Sequence, residues 1–202
     1  MTETWVFDAS QLSAFASGQL LGVLRILAGE RRTVITGEVE AELRAGLAKQ
    51  EFDVAFVHPA HVSLAEIRKG RYKALAWTTG YTEYTVSLLM PAAASFKALP
   101  DLAGHTLVTP DPDSITAVMV RAMFRTEKVA TTDAKEPAAG TVRIISTRYQ
   151  DAVPFYLENG FAQAGATAAN AVVKAWTDKG GKVMVRSRAV PIKQVIASTR
   201  LP

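Results

Sequence analysis

The chain has 202 residues, 49% of them apolar and 21% charged, with a formal charge of +4 and no cysteine. That length builds one ordinary domain or two small lobes around a real core, and the composition excludes disorder over most of it. Disulfides, thiolate metal sites and a cysteine nucleophile are excluded outright. The mild positive charge favours small anions slightly and is too weak to argue for nucleic acid. No apolar run approaches the length of a membrane span, and the N-terminus reads as a strand with no signal peptide in front of it.

The strand Trp5 to Ser10 opens the chain, followed by a helical spacing of Leu12, Phe15, Leu20, Leu21, Val23, Leu24 and Leu27 over 11–27. Thr33 to Thr36 is a second strand, Glu38 to Lys49 a helix with Val39, Leu43 and Leu47 on one side, and Phe52 to Val57 a third strand stopped by Pro59. This alternation points to parallel strands with helical crossovers. A short helix from His61 to Lys69 and strands at Tyr72 to Trp77 and Tyr84 to Met90 come next.

The stretch Thr109 to Thr126 organises the middle of the chain. Pro110 and Pro112 hold off helix until Asp113 or Ser114, either of which can serve as the N-cap. Ile115, Val118, Met119, Ala122 and Met123 then recur as an apolar stripe. The start of this helix offers amide N–H groups and the Ser114 and Thr116 hydroxyls, which suits an anion, although most capped helices bind nothing and Asp111 and Asp113 act against one. Lys128 to Gly140 reads as an exposed loop, Val142 to Ser146 as a strand, Tyr149 to Asn159 as a helix, Ala162 to Ala169 as a small-residue strand, Ala171 to Thr177 as a helix and Lys182 to Arg188 as a final strand.

From Glu51 onward the chain resembles the phosphate/phosphonate-type substrate-binding proteins of ABC transporters. The residues that carry the likeness are Phe52-Asp-Val-Ala-Phe-Val-His-Pro-Ala-His61, Gly80-Tyr-Thr-Glu-Tyr-Thr-Val-Ser-Leu-Leu89, Leu99-Pro-Asp-Leu-Ala-Gly-His-Thr-Leu-Val108, Pro110-Asp-Pro-Asp-Ser-Ile-Thr116, Tyr149-Gln-Asp-Ala-Val153 and Trp176-Thr-Asp-Lys-Gly-Gly-Lys-Val183. The resemblance implies an α/β, two-lobed type 2 periplasmic-binding-protein fold, with a first lobe of residues 1–80 completed by 180–202 and a second of 81–179. It is incomplete at the C-terminus, since family members continue with helices after the last strand. It also implies a non-enzymatic carrier of a small phosphorus oxyanion (phosphate, phosphonate or phosphite) held between the lobes, a permease as partner, an extracytoplasmic location and no cofactor. A chain that is complete without a leader would instead be cytoplasmic. The ligand-binding residues it implies are Ser114, Ile115 and Thr116, faced by His58, His61, Tyr81, Thr82, Tyr84, Tyr149 and Gln150, in keeping with ligand binding at strand carboxyl ends in open α/β sheets.

Residues 1–50 look different. Val6-Phe-Asp-Ala-Ser-Gln-Leu-Ser-Ala-Phe-Ala16 and Val34-Ile-Thr-Gly-Glu-Val-Glu-Ala-Glu-Leu43 are similar to the start of a PIN-domain nuclease, with Asp8 and Glu42 as the first two metal-binding acids. The alternative function is therefore a metal-dependent ribonuclease, or a hybrid that does neither, although nothing after residue 51 supplies the further acids such a site needs. His58 and His61 are read as loop histidines over metal ligands for want of a third ligand nearby. Ser114 has no His and acid partners for nucleophilic work.

Overall fold

A computed structural model describes residues 4–8, 32–36, 39–80 and 82–201, with side chains from 44 onward. The helix expected over 11–27 and the candidate Tyr81 lie outside the described residues. The chain divides into two units: Met1–Glu83 with Pro191–Pro202, and Tyr84–Val190.

The first unit holds a five-stranded sheet. Its strands are β1 (Thr4–Asp8), β2 (Arg32–Thr36), β3 (Val54–Val57), β4 (Tyr72–Trp77) and β11 (Gln194–Ser198), in the order β2-β1-β3-β11-β4. β1 runs parallel to β2 and β3, as the alternation of strand and helix requires. β11 inserts antiparallel between β3 and β4, with Ile196 opposite both Ala55 and Ala74. Helices α1 (Val39–Ala48) and α2 (His61–Arg68) connect the strands, and Leu47, Val57, Val62, Tyr72 and Ile196 form the core.

β11 corrects the expectation of a final strand at Lys182 to Arg188. A strand does form there, but it is β10 (Lys182–Arg186) of the second sheet, and the chain returns to the first sheet only after Pro191. β11 escapes a pattern search because it is central. Buried Gln194, Ile196, Ala197 and Ser198 show no alternation of polar and apolar positions. The Gln194 amide is tolerated there by donating to the Ala60 carbonyl at 3.1 Å and to the Ser63 hydroxyl.

Glu66 on α2 is nearly buried and is bridged by Lys69 at 2.8 Å and Arg71 at 2.6 Å. The hydrogen bond from Lys69 holds its carboxyl below the ordinary value, burial opposes this, and Arg71 adds to the lowering. A carboxylate lowered in the folded state stabilises it above the unfolded pKa, and that contribution is lost as pH falls through the folded pKa. Glu66→Gln is therefore expected to lower the urea midpoint at neutral pH and to shrink the gap from wild type below about pH 4. A gap that widens in acid would contradict the assignment.

The second unit is a six-stranded sheet of β5 (Ser87–Met90), β6 (Thr106–Thr109), β7 (Thr131–Thr132), β8 (Val142–Ser146), β9 (Ala164–Thr167) and β10, in the order β10-β5-β9-β6-β8-β7. β9, β6, β8 and β7 are parallel, while β5 runs antiparallel to both its neighbours, β9 and the edge strand β10. Helix α3 (Ile115–Thr126) packs with Leu88, Leu107, Ala164 and Ala166 on one face. Helices α4 (Val153–Glu158) and α5 (Asn170–Asp178) pack with Leu89 and Val108 on the other. The expected helix at Tyr149 to Asn159 begins as a 3₁₀ turn (Gln150–Ala152) and becomes α-helical at Val153, where Pro154 sits in the first turn and needs no hydrogen-bond partner. Within the expected loop 128–140, Thr131 and Thr132 make the short edge strand β7.

The buried side of α3 differs from the predicted stripe. Thr116, Ala117, Val120 and Phe124 face the core, Met119 and Met123 flank it, and Val118 and Ala122 are exposed. The stripe is turned because Thr116, polar by type, is wholly buried with its hydroxyl paired to Tyr84, which displaces the apolar count by about one position. On the opposite face, Gly165 lets β9 and α4 meet. A Cβ there would lie 2.5 Å from Val153 Cγ1 and 3.1 Å from Val108 Cγ1. Gly165→Ala is expected to destabilise the protein by about 1–3 kcal/mol in chemical denaturation, as overpacking does. An unchanged midpoint would show that the helix yields freely.

Candidate functional site

In the second unit, β6 and its neighbour β9 send their connections to opposite sides of the sheet, β6 through α3 towards β7 and β8, β9 through α5 towards β10. The two helices lie on opposite faces. The carboxyl ends of β6 and β9 therefore form a topological switch point, where open α/β sheets leave room for a ligand. The strand ends there carry hydroxyls: Thr109 and Thr167 are fully buried and Thr147 nearly so.

The turn from β6 into α3 is built as its residue types dictate. Asp111 Oδ1 accepts the Asp113 N–H at 2.9 Å, and the Ser114 N–H reaches the Asp111 carbonyl at 2.9 Å, closing a turn that the two prolines keep out of the helix. Ser114 is the N-cap, in extended conformation, and its Oγ accepts the Ala117 N–H at 3.2 Å. The Val118 N–H bonds to the Ser114 carbonyl, so the N–H groups of Ile115 and Thr116 are the ones with no acceptor among the described residues. With the helix dipole they put partial positive charge at this end.

Of the residues implied by the resemblance, the structure brings Tyr84 and Thr116 together, their hydroxyls 2.7 Å apart. Tyr84 is itself fixed by backbone bonds to Val190 in both directions. Gln150 lies in the 3₁₀ turn after β8, and its Oε1 accepts from the Thr167 hydroxyl at 3.1 Å and the Ala168 N–H at 2.6 Å. Tyr149 is exposed, with the Arg148 guanidinium 5.4 Å above its ring. The Thr147 N–H donates to the Thr109 carbonyl at 2.8 Å, which ties this loop to the end of β6. Ser114, Ile115, Thr116, Tyr84 and Gln150 thus belong to one edge of one sheet.

His58, His61 and Thr82 belong to the first unit. His58 Nδ1 stands 3.3 Å from the Ile192 carbonyl, His61 Nε2 is 3.5 Å from Arg44, and Thr82 is exposed. Among the described residues no group of three His, Asp or Glu is placed to hold a metal. The side chains of Asp8 and Glu42 lie outside the described residues. Sequence reading missed Arg148, a cation on the switch-point loop, and Thr167, whose part depends on a contact with Gln150 seventeen positions away. Neither carries a local signal.

A chain that builds most of one α/β unit, crosses to form a second and returns to complete the first has the architecture of periplasmic-binding-protein-like carriers. The profile of the family described as "ABC transporter, phosphonate, periplasmic substrate-binding protein" matches residues 25–202, and the chain belongs to that family. Among solved structures, XAC2383 of Xanthomonas citri, bound to ATP, is similar with a TM-score of 0.76 at 14% identity, over 100% of this chain and 78% of its own. The periplasmic aliphatic sulphonate binding protein SsuA of Escherichia coli gives 0.58 at 12%, over 98% and 65%. A binding protein component of an ABC phosphonate transporter from Pseudomonas aeruginosa gives 0.53 at 12%, over 100% and 69%. At such identities the likeness is one of fold. No curated protein matches the chain.

These matches correct the reading of residues 1–50 as a PIN-like segment. The family match begins at residue 25 and so includes β2 and α1, and the first structural match runs through the whole chain. The nuclease resemblance, with Asp8 and Glu42 as metal ligands, finds no support. Neighbouring parallel strands such as β1 and β2 open both folds, which is why so short a stretch resembles either.

Proposed function

We propose that this protein is the extracytoplasmic substrate-binding component of an ABC importer for a small phosphorus oxyanion of the phosphate, phosphonate or phosphite type. The head group is held at the start of α3, by the Ile115 and Thr116 amides, the Ser114 hydroxyl and the Tyr84 hydroxyl. Gln150, Arg148 and Tyr149 stand on the neighbouring loop, and Tyr81, Thr82, His58 and His61 are the further residues that the family resemblance implies. The observation that carries this is the pair of first-turn amides left without an acceptor among the described residues, at a switch point and beside hydroxyls fixed by their own hydrogen bonds. The family's description agrees with such a ligand. The neighbours' ligands widen the screen: aliphatic sulphonates for SsuA and phosphonate for the Pseudomonas protein.

Binding and release of an unchanged ligand need no catalytic group, and a permease is the partner that would receive it. Among the described residues no helix is long and apolar enough to cross a membrane. The test is thermal denaturation with phosphate, phosphite, alkylphosphonates and alkylsulfonates. A true ligand at a hundredfold excess over its Kd is expected to stabilise the protein by about 2.7 kcal/mol. No shift with any of them would remove the proposal, and a shift with sulfonates alone would move it to that class.

A further inference from the structure

β4 closes the first sheet, with β11 on one side and, among the described residues, no strand on the other. Five of its six residues are exposed, Leu75 at 55% and Trp77 at 42% among them. A free edge presents a row of backbone N–H and C=O groups that a further strand can pair, and apolar side chains beside it favour that pairing over water.

The hydrogen bonds at the two ends of β4 show which groups point outward. The Thr199 N–H donates to the Arg71 carbonyl at 2.9 Å, and the Thr78 N–H to the Lys193 carbonyl at 3.2 Å. Residues of an antiparallel strand alternate between bonding their partner and facing away from it. Tyr72, Ala74 and Trp77 therefore direct their N–H and C=O away from β11, where they find no partner among the described residues. These three also share one face. They lie opposite Ser198, Ile196 and Gln194, which are alternate residues of β11. Trp77 joins the set because Leu75 has no partner on β11, and that extra residue returns the strand to the same face.

This arrangement is self-complementary. Two copies of β4, antiparallel about a two-fold axis, can set Tyr72 of one against Trp77 of the other, and Lys73 against Ala76. Each such pair joins residues of the same face, and Tyr72 and Trp77 exchange outward bonds in both directions. Lys73 is the one charged residue from Tyr72 to Trp77. In this register the two lysines stand three residues apart, about 10 Å along the strands, where salt largely screens them. Arg71, just before the strand, is already bonded to Glu66.

We propose that β4 is a self-pairing edge, through which two copies of this chain join their first sheets into one. The contact uses the same strand on both copies and leaves neither edge open, so it closes at the dimer. It is independent of the oxyanion reading. The test is sedimentation equilibrium over a range of protein concentrations, with hydrogen exchange of residues 72–77 followed in dilute and in concentrated protein.

The mass is expected to rise with concentration to twice the 21.7 kDa of one chain and no further, and the Tyr72, Ala74 and Trp77 amides to exchange more slowly in concentrated protein. Leu75→Lys sets two ammonium groups close to the axis and is expected to give a folded monomer, since Leu75 lies outside the core of the first unit. Phe161→Lys changes an exposed aromatic side chain of the second unit and is expected to leave the dimer intact. A monomer at every concentration would overturn the proposal, and so would exchange at β4 that ignores concentration. A dimer that survives Leu75→Lys, or one lost in Phe161→Lys, would overturn it by placing the contact elsewhere.

Discussion

Ser114→Asp is expected to leave the protein folded and to abolish ligand binding. Asp and Ser are about equally good N-caps, so the bond to the Ala117 N–H survives and stability should change by less than about 1 kcal/mol. The added carboxylate even suits the helix dipole. The same charge then stands about 4 Å from where the oxyanion would sit, which costs about 4 kcal/mol at an effective dielectric constant near 20. That converts to roughly a thousandfold loss of affinity by calorimetry. Ser114→Ala separates the two roles: it loses the cap, about 1 kcal/mol of stability, and one donor, with a far smaller loss of binding. Undiminished affinity in Ser114→Asp would mean that the ligand does not meet the start of α3.

The second large effect concerns what holds that helix in place. Phe124 is fully buried on α3 among Leu102, Leu107, Val120 and Val142. Phe124→Ala is expected to cost about 3–5 kcal/mol in urea denaturation, because removal of a buried ring loses its transfer energy and leaves a cavity. Val118→Ala, on the exposed side of the same helix, should fall within about 0.5 kcal/mol of wild type. The two variants together distinguish the buried face seen in the structure from the stripe of Ile115, Val118, Met119, Ala122 and Met123 that spacing suggests. Comparable losses in both would restore that stripe.

The features legible in the residues alone are those set by local physics. Pro110, Pro112 and Ser114 determine where α3 begins, because a missing N–H and a capping oxygen act within a few residues. The alternation of apolar runs and helical spacings determined the order of most of the described strands and helices, β7 and β11 apart, and hence an α/β architecture. The runs quoted between Phe52 and Val183 carried the family likeness, now matched from residue 25.

Only the tertiary structure decided the rest. Gln194 to Ser198 is the central antiparallel strand of the first sheet because β3 and β4 flank it, more than a hundred residues away in sequence. Thr116 is a buried residue because Tyr84 supplies its hydroxyl with a partner, and that pairing rotates the buried face of α3. The Gln150 oxygen is spent on the fold because Thr167 and Ala168 bond it from a different strand. Caps, turns and periodicities are written in neighbouring residues. Whether a polar side chain is spent on the fold or left for a ligand depends on partners that only the folded chain brings within hydrogen-bonding reach.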